Sequence, residues 1–209
     1  MNIILIAPPA AGKGTQAKLL SSRYNLPHIS VGDLIRNNMN DELKNIMNSG
    51  KLIDDSIIFD LLEKRLNQGD CENGYILDGF PRNLNQAYTY EKMNHSLDYV
   101  ILLDVDKDIT KNRILGRKSC PKCGHVYNDL FINTKPINDN LCDHCNIPLI
   151  KREDDNEETF EKRYQTYLNE TSPIIDYYQN KGILNKVDSS ISPETTFNSI
   201  KNIIEVKHD

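Results

Sequence analysis

The sequence predicts an α/β fold in which a parallel sheet is covered by helices on both faces, and three observations predict it. Short continuous apolar runs, such as Ile3-Ile4-Leu5-Ile6 and Val100-Ile101-Leu102-Leu103, have the pattern of strands buried on both sides. Segments of helical period separate these runs, and strands that alternate with helices imply parallel pairing. The first run leads straight into APPAAGKGTQ, Ala7 to Gln16, a tight turn before a helix, which is the setting of a phosphate-binding loop.

Taken in order, Asn2 to Ile6 is the first strand, and Lys13 to about Tyr24 is a helix with Ala17, Leu19 and Leu20 available for packing. Leu26 to Ser30 is a second, short strand. Tyr75-Ile76-Leu77 and Tyr99 to Leu103 repeat the buried-strand pattern, each running into an Asp (Asp78, Asp104), and Ile183 to Val187 is the fifth. Helices are expected over Leu34–Ser49, Asp54–Asn67, Asn83–Met93 and Lys107–Gly116. Glu157 to about Gln179 reads as one long helix, broken or bent near Pro173. The last helix opens on Ser192-Pro193, a cap followed by Pro at the first helical position, and Phe197, Ile200, Ile203 and Ile204 give it one apolar face.

The chain has 209 residues, 38% of them hydrophobic and 26% charged, which suits one domain with an inserted module. Trp is absent, so the core must be mostly aliphatic. A net charge of −5 argues against a general nucleic-acid binder but leaves room for a locally basic cleft. No apolar stretch approaches the roughly 18 residues of a membrane span. No basic residue precedes Lys13, so the N-terminus does not read as a secretory signal; a soluble cytoplasmic protein without membrane or nucleic-acid partners is expected.

One segment breaks the α/β rhythm. Gly116 to Arg152 is rich in Cys, Asn, Asp and Pro, and carries six Lys or Arg against three Asp, a side-chain balance of +3 before thiolates are counted. It cannot bury a core of its own size. It holds Cys120-Pro-Lys-Cys123 and Cys142-Asp-His-Cys145, two pairs separated by 18 residues, the spacing of a tetrahedral thiolate site for structural zinc. Iron–sulfur chemistry suits the same sulfurs; two disulfides fit poorly with a chain lacking a secretory signal. His125 and His144 stand beside the cysteines as competing ligands, although four thiolates complete the shell. Cys71 has no neighbouring cysteine and reads as an incidental thiol.

The loop departs from the general phosphate-loop pattern: Ala7 holds the first Gly position, and Gly14 stands where Ser or Thr should follow Lys13. Gly12 and Gly14 let the backbone approach a ligand on either side of the ammonium group. If Ala7 or Ala10 must be left-handed, its Cβ costs on the order of 1–2 kcal/mol.

A second stretch, YILDGFPRNLNQ (Tyr75 to Gln86), puts an Asp at a strand end, then a Gly turn, Arg82, and Gln86 one helical turn on. With GKGTQ and SVGDLIR (Ser30 to Arg36), it closely resembles the adenylate kinases in their long form with a zinc-bearing lid, over nearly the whole chain. In that family Gly and then Thr follow the loop lysine, as Gly14-Thr15 do here. Ala7 and Ala10 replace glycines usual in the family, and Val31 replaces its usual Thr.

The resemblance implies a P-loop NTPase-like three-layer fold on a five-stranded parallel sheet, with a helical AMP-binding segment and an inserted zinc-stapled lid. Its expected organisation is core at 1–29 (phosphate loop 7–15), AMP-binding segment at 30–53, core at 54–115, lid at 116–153 and core at 154–209. It implies reversible, Mg-dependent phosphoryl transfer from ATP to AMP by a monomer, giving two ADP. The ATP side would comprise Ala10, Ala11, Gly12, Lys13, Gly14, Thr15, Arg113, Arg117, Val126 and Tyr127. The AMP side would comprise Val31, Arg36, Lys51, Leu52, Ile53, Gly79, Phe80, Pro81, Arg82, Gln86, Arg152 and Arg163, with Gln86 reading the adenine edge. Lys13, Arg82, Arg113, Arg117, Arg152 and Arg163 would carry the catalysis by neutralising charge. Asp78, with Asp33, would orient Mg2+ through its water shell, Asp154 and Asp155 would steady the arginines, and Cys120, Cys123, Cys142 and Cys145 would hold structural Zn2+. The rivals are a nucleoside monophosphate kinase for another base, a nucleotide-binding protein with weakened turnover, and a zinc module gripping nucleic acid. The last lacks interleaved basic and aromatic residues, with only Tyr127 and Phe131 near the cysteines.

Overall fold

The computed structural model describes residues 1–38, 43, 45–46, 53–93, 96–130 and 134–206. Its centre is a five-stranded sheet of β1 (Asn2–Ile6), β2 (His28–Ser30), β3 (Tyr75–Asp78), β4 (Tyr99–Asp104) and the strand Leu184–Asp188, which as the last in the chain is β7. All neighbours are parallel, in the spatial order β2-β3-β1-β4-β7. The apolar runs are continuous because both faces are covered, and alternate side chains go to opposite faces. Ile4, Ile6, Tyr75, Leu77, Val100 and Leu102 pack on one side. Ile3, Leu5, Ile76, Tyr99, Ile101 and Leu103 pack on the other.

The first face meets α2 (Val31–Asn37), α3 (Asp55–Leu66), α4 (Leu84–Lys92) and α7 (Ser172–Asn180), through Ile35, Leu62, Ala87, Tyr90, Ile174 and Tyr178. The second meets α1 (Lys13–Tyr24) and α8 (Pro193–Val206), through Ala17, Leu20, Ile200 and Ile204. Two further helices, α5 (Lys107–Leu115) and α6 (Glu157–Thr166), lead into and out of the inserted segment. This is the expected three-layer arrangement. Among the described residues no helix is long and apolar enough to cross a membrane.

Side-chain caps set where several helices begin. Ser30 accepts from the N–H of Asp33, Asp54 from Ser56, Asn83 from Gln86 and Asn156 from Thr159. Ser192 accepts from the N–H of Thr195 at 3.1 Å. The Ser30 cap explains one correction: the helix expected from Leu34 starts at Val31, directly off β2, and reaches its C-cap at Asn38. Most of the remaining stretch up to residue 49 lies outside the described residues. The second strand is shorter than Leu26–Ser30 because Pro27 has no N–H for a ladder; only its carbonyl joins, accepting from Ile76 at 3.0 Å. The long helix at 157–179 is interrupted one turn before Pro173, where a π-helical turn, Tyr167–Thr171, separates α6 from α7 and accommodates the missing donor.

The insertion has a sheet of its own. Here β5 (Arg117–Ser119) and β6 (Val126–Asn128) pair antiparallel, which the sequence did not suggest. Ser119 is further bridged to Ile150.

Candidate functional site

The carboxyl ends of β1, β2, β3 and β7 open on one edge of the sheet, where ligands of such folds bind. The loop after β1 turns at Pro8-Pro9-Ala10-Ala11, closed by the N–H of Ala11 on the carbonyl of Pro8 at 3.4 Å. Ala10 has φ 60°, so the left-handed conformation does fall on an alanine; Ala7 is buried at the strand end without a positive φ. Gly12, at φ 97°, swings the chain into α1 as an N-cap with no side-chain cap. The first amides of α1 therefore face the loop without a side-chain acceptor, and no acidic residue sits in that turn. Lys13 folds back over the loop, its Nζ donating to the carbonyls of Ala7 at 3.0 Å and Pro8 at 3.2 Å. Gly14 and Thr15 continue α1, half-buried.

The loop is held from the other end of the chain. Ser189, just after β7, donates its hydroxyl to the carbonyl of Ala11 at 2.7 Å. Gln16 donates its Nε2 to the carbonyl of Pro193 at 2.9 Å.

Asp78 ends β3 beside this loop, and its Oδ2 lies 3.2 Å from His28 Nε2. Burial lowers the Lys13 pKa from 10.5 to about 8; Asp78 opposes the fall, and the charges of Arg82, Arg117 and Arg163 add to it. Five of the sequence-identified arginines thus converge: Arg82 feels Arg163, Asp78 and Arg36, and Arg152 feels Arg117 and Arg36. Arg113 stands apart, donating to the carbonyl of Ser190 at 3.2 Å and facing Asp188, at the β7 end of the crevice.

So much like charge requires carboxylates. Arg117 is bidentate to Asp155, with Nε at 2.7 Å from Oδ2, and Asp155 is fully buried. Arg163 pairs with Asp154. Arg36 pairs with Asp33 at 2.5 Å, so that the carboxyl of Asp33 is already engaged. Burial pushes the Asp33 pKa up, but its bonds from Arg36 and Ser30 hold it below the usual value. Arg152 has no hydrogen bond to a described residue; burial and the charges of Arg117 and Arg36 lower its pKa, against Asp155 and Asp33.

On the expected AMP side, Val31, Ile53 and Phe80 are buried in one apolar cluster. Lys51 and Leu52 lie outside the described residues. The turn Gly79-Phe80-Pro81-Arg82 has Gly79 at φ 80°, where a Cβ would come within 3.1 Å of the Arg82 guanidinium, and the Phe80–Pro81 peptide is cis. Gln86 is 2% exposed and doubly held: its Oε1 accepts from the N–H of Arg82 at 2.7 Å, and its Nε2 donates to Asp55 at 2.6 Å. Sequence reasoning missed Asp55 and His28. Asp54-Asp55 before a helix needs only one cap, and the surplus carboxylate was the available signal.

In the insertion the Sγ atoms of Cys120, Cys123, Cys142 and Cys145 lie within 4.8 Å of one another. Two matched turns build the set, Gly124 N–H bonding Cys120 O at 2.9 Å and Asn146 N–H bonding Cys142 O at 2.8 Å, with positive φ at both Gly124 and Asn146. Cys123 and Cys142 are 3.7 Å apart, against about 3.8 Å for the edge of a tetrahedron with ~2.3 Å metal–sulfur bonds. All five cysteines are free thiols, so the sulfurs fit a metal rather than disulfides. Burial pushes Cys142 up, yet the Tyr127 hydroxyl and the N–H groups of His144 and Cys145 bring its pKa down to about 6, favouring the thiolate a metal needs. Tyr127 is buried in this cluster, its hydroxyl 3.5 Å from Cys142 Sγ, whereas Val126 beside it is exposed. The insertion touches the core where Lys18 of α1 donates to the carbonyl of Gly124 at 2.6 Å.

The adenylate kinase family model matches residues 5–183. The chain is 42% identical to the adenylate kinase of Clostridium perfringens over 214 residues, covering 98% of each chain. It is 42% identical to that of Thermotoga neapolitana, covering 97% of this chain and 96% of the relative. For Kosmotoga olearia the identity is 44%, over 96% and 97%.

Proposed function

This chain belongs to the adenylate kinase family, and we propose that it transfers the terminal phosphoryl group of magnesium-ATP to AMP beneath a closing lid, reversibly giving two ADP. The observation that carries this reading is the convergence of Lys13, Arg36, Arg82, Arg117, Arg152 and Arg163 around the loop and Asp78.

Phosphoryl transfer asks little covalent work of a protein; it asks for position and for charge where the transferring group develops it. An oxygen of the AMP phosphate forms a bond to the γ-phosphorus of ATP as the bond to the β–γ bridging oxygen breaks, and ADP leaves with that oxygen. Lys13 and the α1 amides would hold the β and γ phosphates, where Lys13 exchanges its two carbonyl acceptors for phosphate oxygens. Arg36 and Arg82 would hold the AMP phosphate, Arg113 and Arg117 the ATP end. Arg152 and Arg163 would close on the transferring group, which would supply the anion that Arg152 lacks. Magnesium, when bound, would supply positive charge that offsets the charge of the phosphates. Asp78, a hard oxygen donor at the loop with a single histidine partner, fits the role of orienting its water shell.

The insertion, 116–153, would be the lid. Its net positive side-chain balance is drawn toward polyphosphate, the proposed zinc keeps it rigid as it moves, and closure excludes the water that would hydrolyse ATP. Gln86 would select adenine.

The test is ADP formation from magnesium-ATP with AMP, CMP, UMP or GMP, beside a Lys13→Ala control. AMP should be the preferred acceptor, and Lys13→Ala should lower the rate at least a hundredfold. Preference for another monophosphate would reassign the acceptor; ATP binding without turnover would leave a nucleotide-binding protein.

A further inference from the structure

Gln86 carries an amide, and an amide can present its two ends either way round. Adenine offers an acceptor at N1 and a donor at its 6-amino group. Hypoxanthine and guanine offer the reverse, a donor at N1 and an acceptor at O6. A glutamine free to turn would match both, so glutamine alone does not select.

Here it is not free to turn. The backbone N–H of Arg82 can only donate, and it meets Oε1 at 2.7 Å. The carboxylate of Asp55 can only accept, and its Oδ1 meets Nε2 at 2.6 Å. Reversing the amide would set two donors against each other at Arg82 and two acceptors against each other at Asp55. The same carboxylate also accepts from Asn83 Nδ2 at 3.2 Å and from Asn85 Nδ2 at 2.7 Å. Asn83 in turn is oriented by the N–H of Gln86, which it caps at 2.8 Å. Asp55 therefore sits at the hub of three amide side chains at the start of α4, and the expected AMP-binding segment ends two residues before it.

We propose that Asp55 is a specificity-determining positioning residue: it fixes the Gln86 amide in the one orientation that pairs with a 6-aminopurine, and so rejects 6-oxopurine monophosphates. The inference rests on the AMP-kinase reading above. One N–H of Nε2 and one lone pair of Oε1 remain for the base once Asp55 and Arg82 have taken theirs. Asp55 does not touch the nucleotide; it acts through Gln86.

The experiment is the ratio of kcat/KM for AMP over that for IMP, in the full chain and in Asp55→Asn. IMP differs from AMP only in the polarity of the edge in question. Asparagine keeps the shape of Asp55 but can turn its own amide to suit Gln86 either way, which removes one of the two locks and leaves the Arg82 N–H as the other, so the ratio should fall about threefold to tenfold, chiefly by improved use of IMP. A merely structural role would lower both substrates together and leave the ratio unchanged, which overturns the proposal. Because the ratio is internal to each protein, partial loss of folded enzyme cancels. Should Asp55→Asn not fold, Asp55→Ser supplies a hydroxyl that also accepts either orientation and is read the same way. Asn85→Ala, which removes a donor to the other carboxylate oxygen without touching Gln86, should leave the ratio as it was; an equal fall there also refutes the assignment to Asp55. A wild-type chain that does not use AMP at all defeats instead the function on which the inference rests, and the two failures are thus told apart.

Discussion

Replacing Ala10 by glycine should stabilise this protein, and replacing Ala7 by glycine should destabilise it. Pro8-Pro9-Ala10-Ala11 has the arrangement of a type II turn: Pro at the second position, a positive φ of 60° at the third, and the closing N–H of Ala11 on Pro8. The third position of that turn favours glycine, because a Cβ in the left-handed region costs about 1–2 kcal/mol. Glycine also loosens the unfolded chain, which offsets about 0.4–1 kcal/mol of the gain. The net is about 0.8 kcal/mol of added stability for Ala10→Gly, or ~2–3 °C in Tm for a chain of this size. Ala7 has no such strain and is 7% exposed in the core. Its methyl group is worth about 0.8 kcal/mol of burial, and glycine adds flexibility, so Ala7→Gly should cost about 1–2 kcal/mol. The assay is thermal unfolding of the two variants beside the parent, followed by circular dichroism. A fall in Tm for Ala10→Gly, or a rise for Ala7→Gly, refutes the reasoning, since the two substitutions are chemically identical and differ only in the backbone conformation and burial of the alanine replaced.

Lys13 gives a pH signature. Its folded pKa of about 8 lies below the unfolded 10.5, so between these values the unfolded chain holds more protons, and this group's contribution to stability rises with pH through that window. Bound phosphates favour the charged form, so ATP binding at pH 9 should take up close to one proton and at pH 7 almost none, read by calorimetry in buffers of different ionisation enthalpy; Lys13→Met should abolish the difference. Asp155→Ala leaves Arg117 beside Arg152 without its buried partner and should destabilise by about 3 kcal/mol in urea unfolding, the low end for such pairs because the Arg117 side chain is 17% exposed. Elemental analysis should find one zinc per chain, and its removal should expose four additional reactive thiols while the far-ultraviolet signal of the α/β core persists; loss of that signal would show the insertion to be essential to the whole fold.

The centre of the sheet was legible because β1, β3 and β4 carry continuous apolar runs buried on both faces, whereas β2 (His-Ile-Ser) and β7 (Leu-Asn-Lys-Val-Asp) at its edges show only part of that pattern. The helix starts were legible where a cap stands in sequence, as at Ser192-Pro193 and Asn83, and were missed at Ser30, where strand and cap share a residue. The left-handed demand at the loop was foreseen, but not that it would fall on Ala10 rather than Ala7, since that depends on the turn closing at Ala11. The Tyr127 side chain is held by Cys142 and Asp143, contacts that the sequence did not reveal. A three-residue strand in a cysteine-rich segment carries no alternation from which its inward side could be read. Asp55 and Gln86 stand 31 residues apart, and the surplus carboxylate at Asp54-Asp55 does not by itself say which later helix it serves. The arginines were found by register with a family, and the carboxylates that balance them by their place in REDD.

The ties from Ser189 to Ala11 and from Pro193 to Gln16 bear on how the chain is made. The loop that begins at Ala7 is fastened by residues translated 178 and 177 positions after the ones they hold. β1, formed first, sits at the middle of the sheet and waits for β3 and β4 to flank it. A ribosome that has delivered most of this polypeptide therefore presents a phosphate loop still without its fastening. Such long-range closure slows folding and leaves apolar strand edges exposed meanwhile. The ability to grip phosphate comes late in the protein's synthesis, when β7 and the start of α8 have emerged and docked.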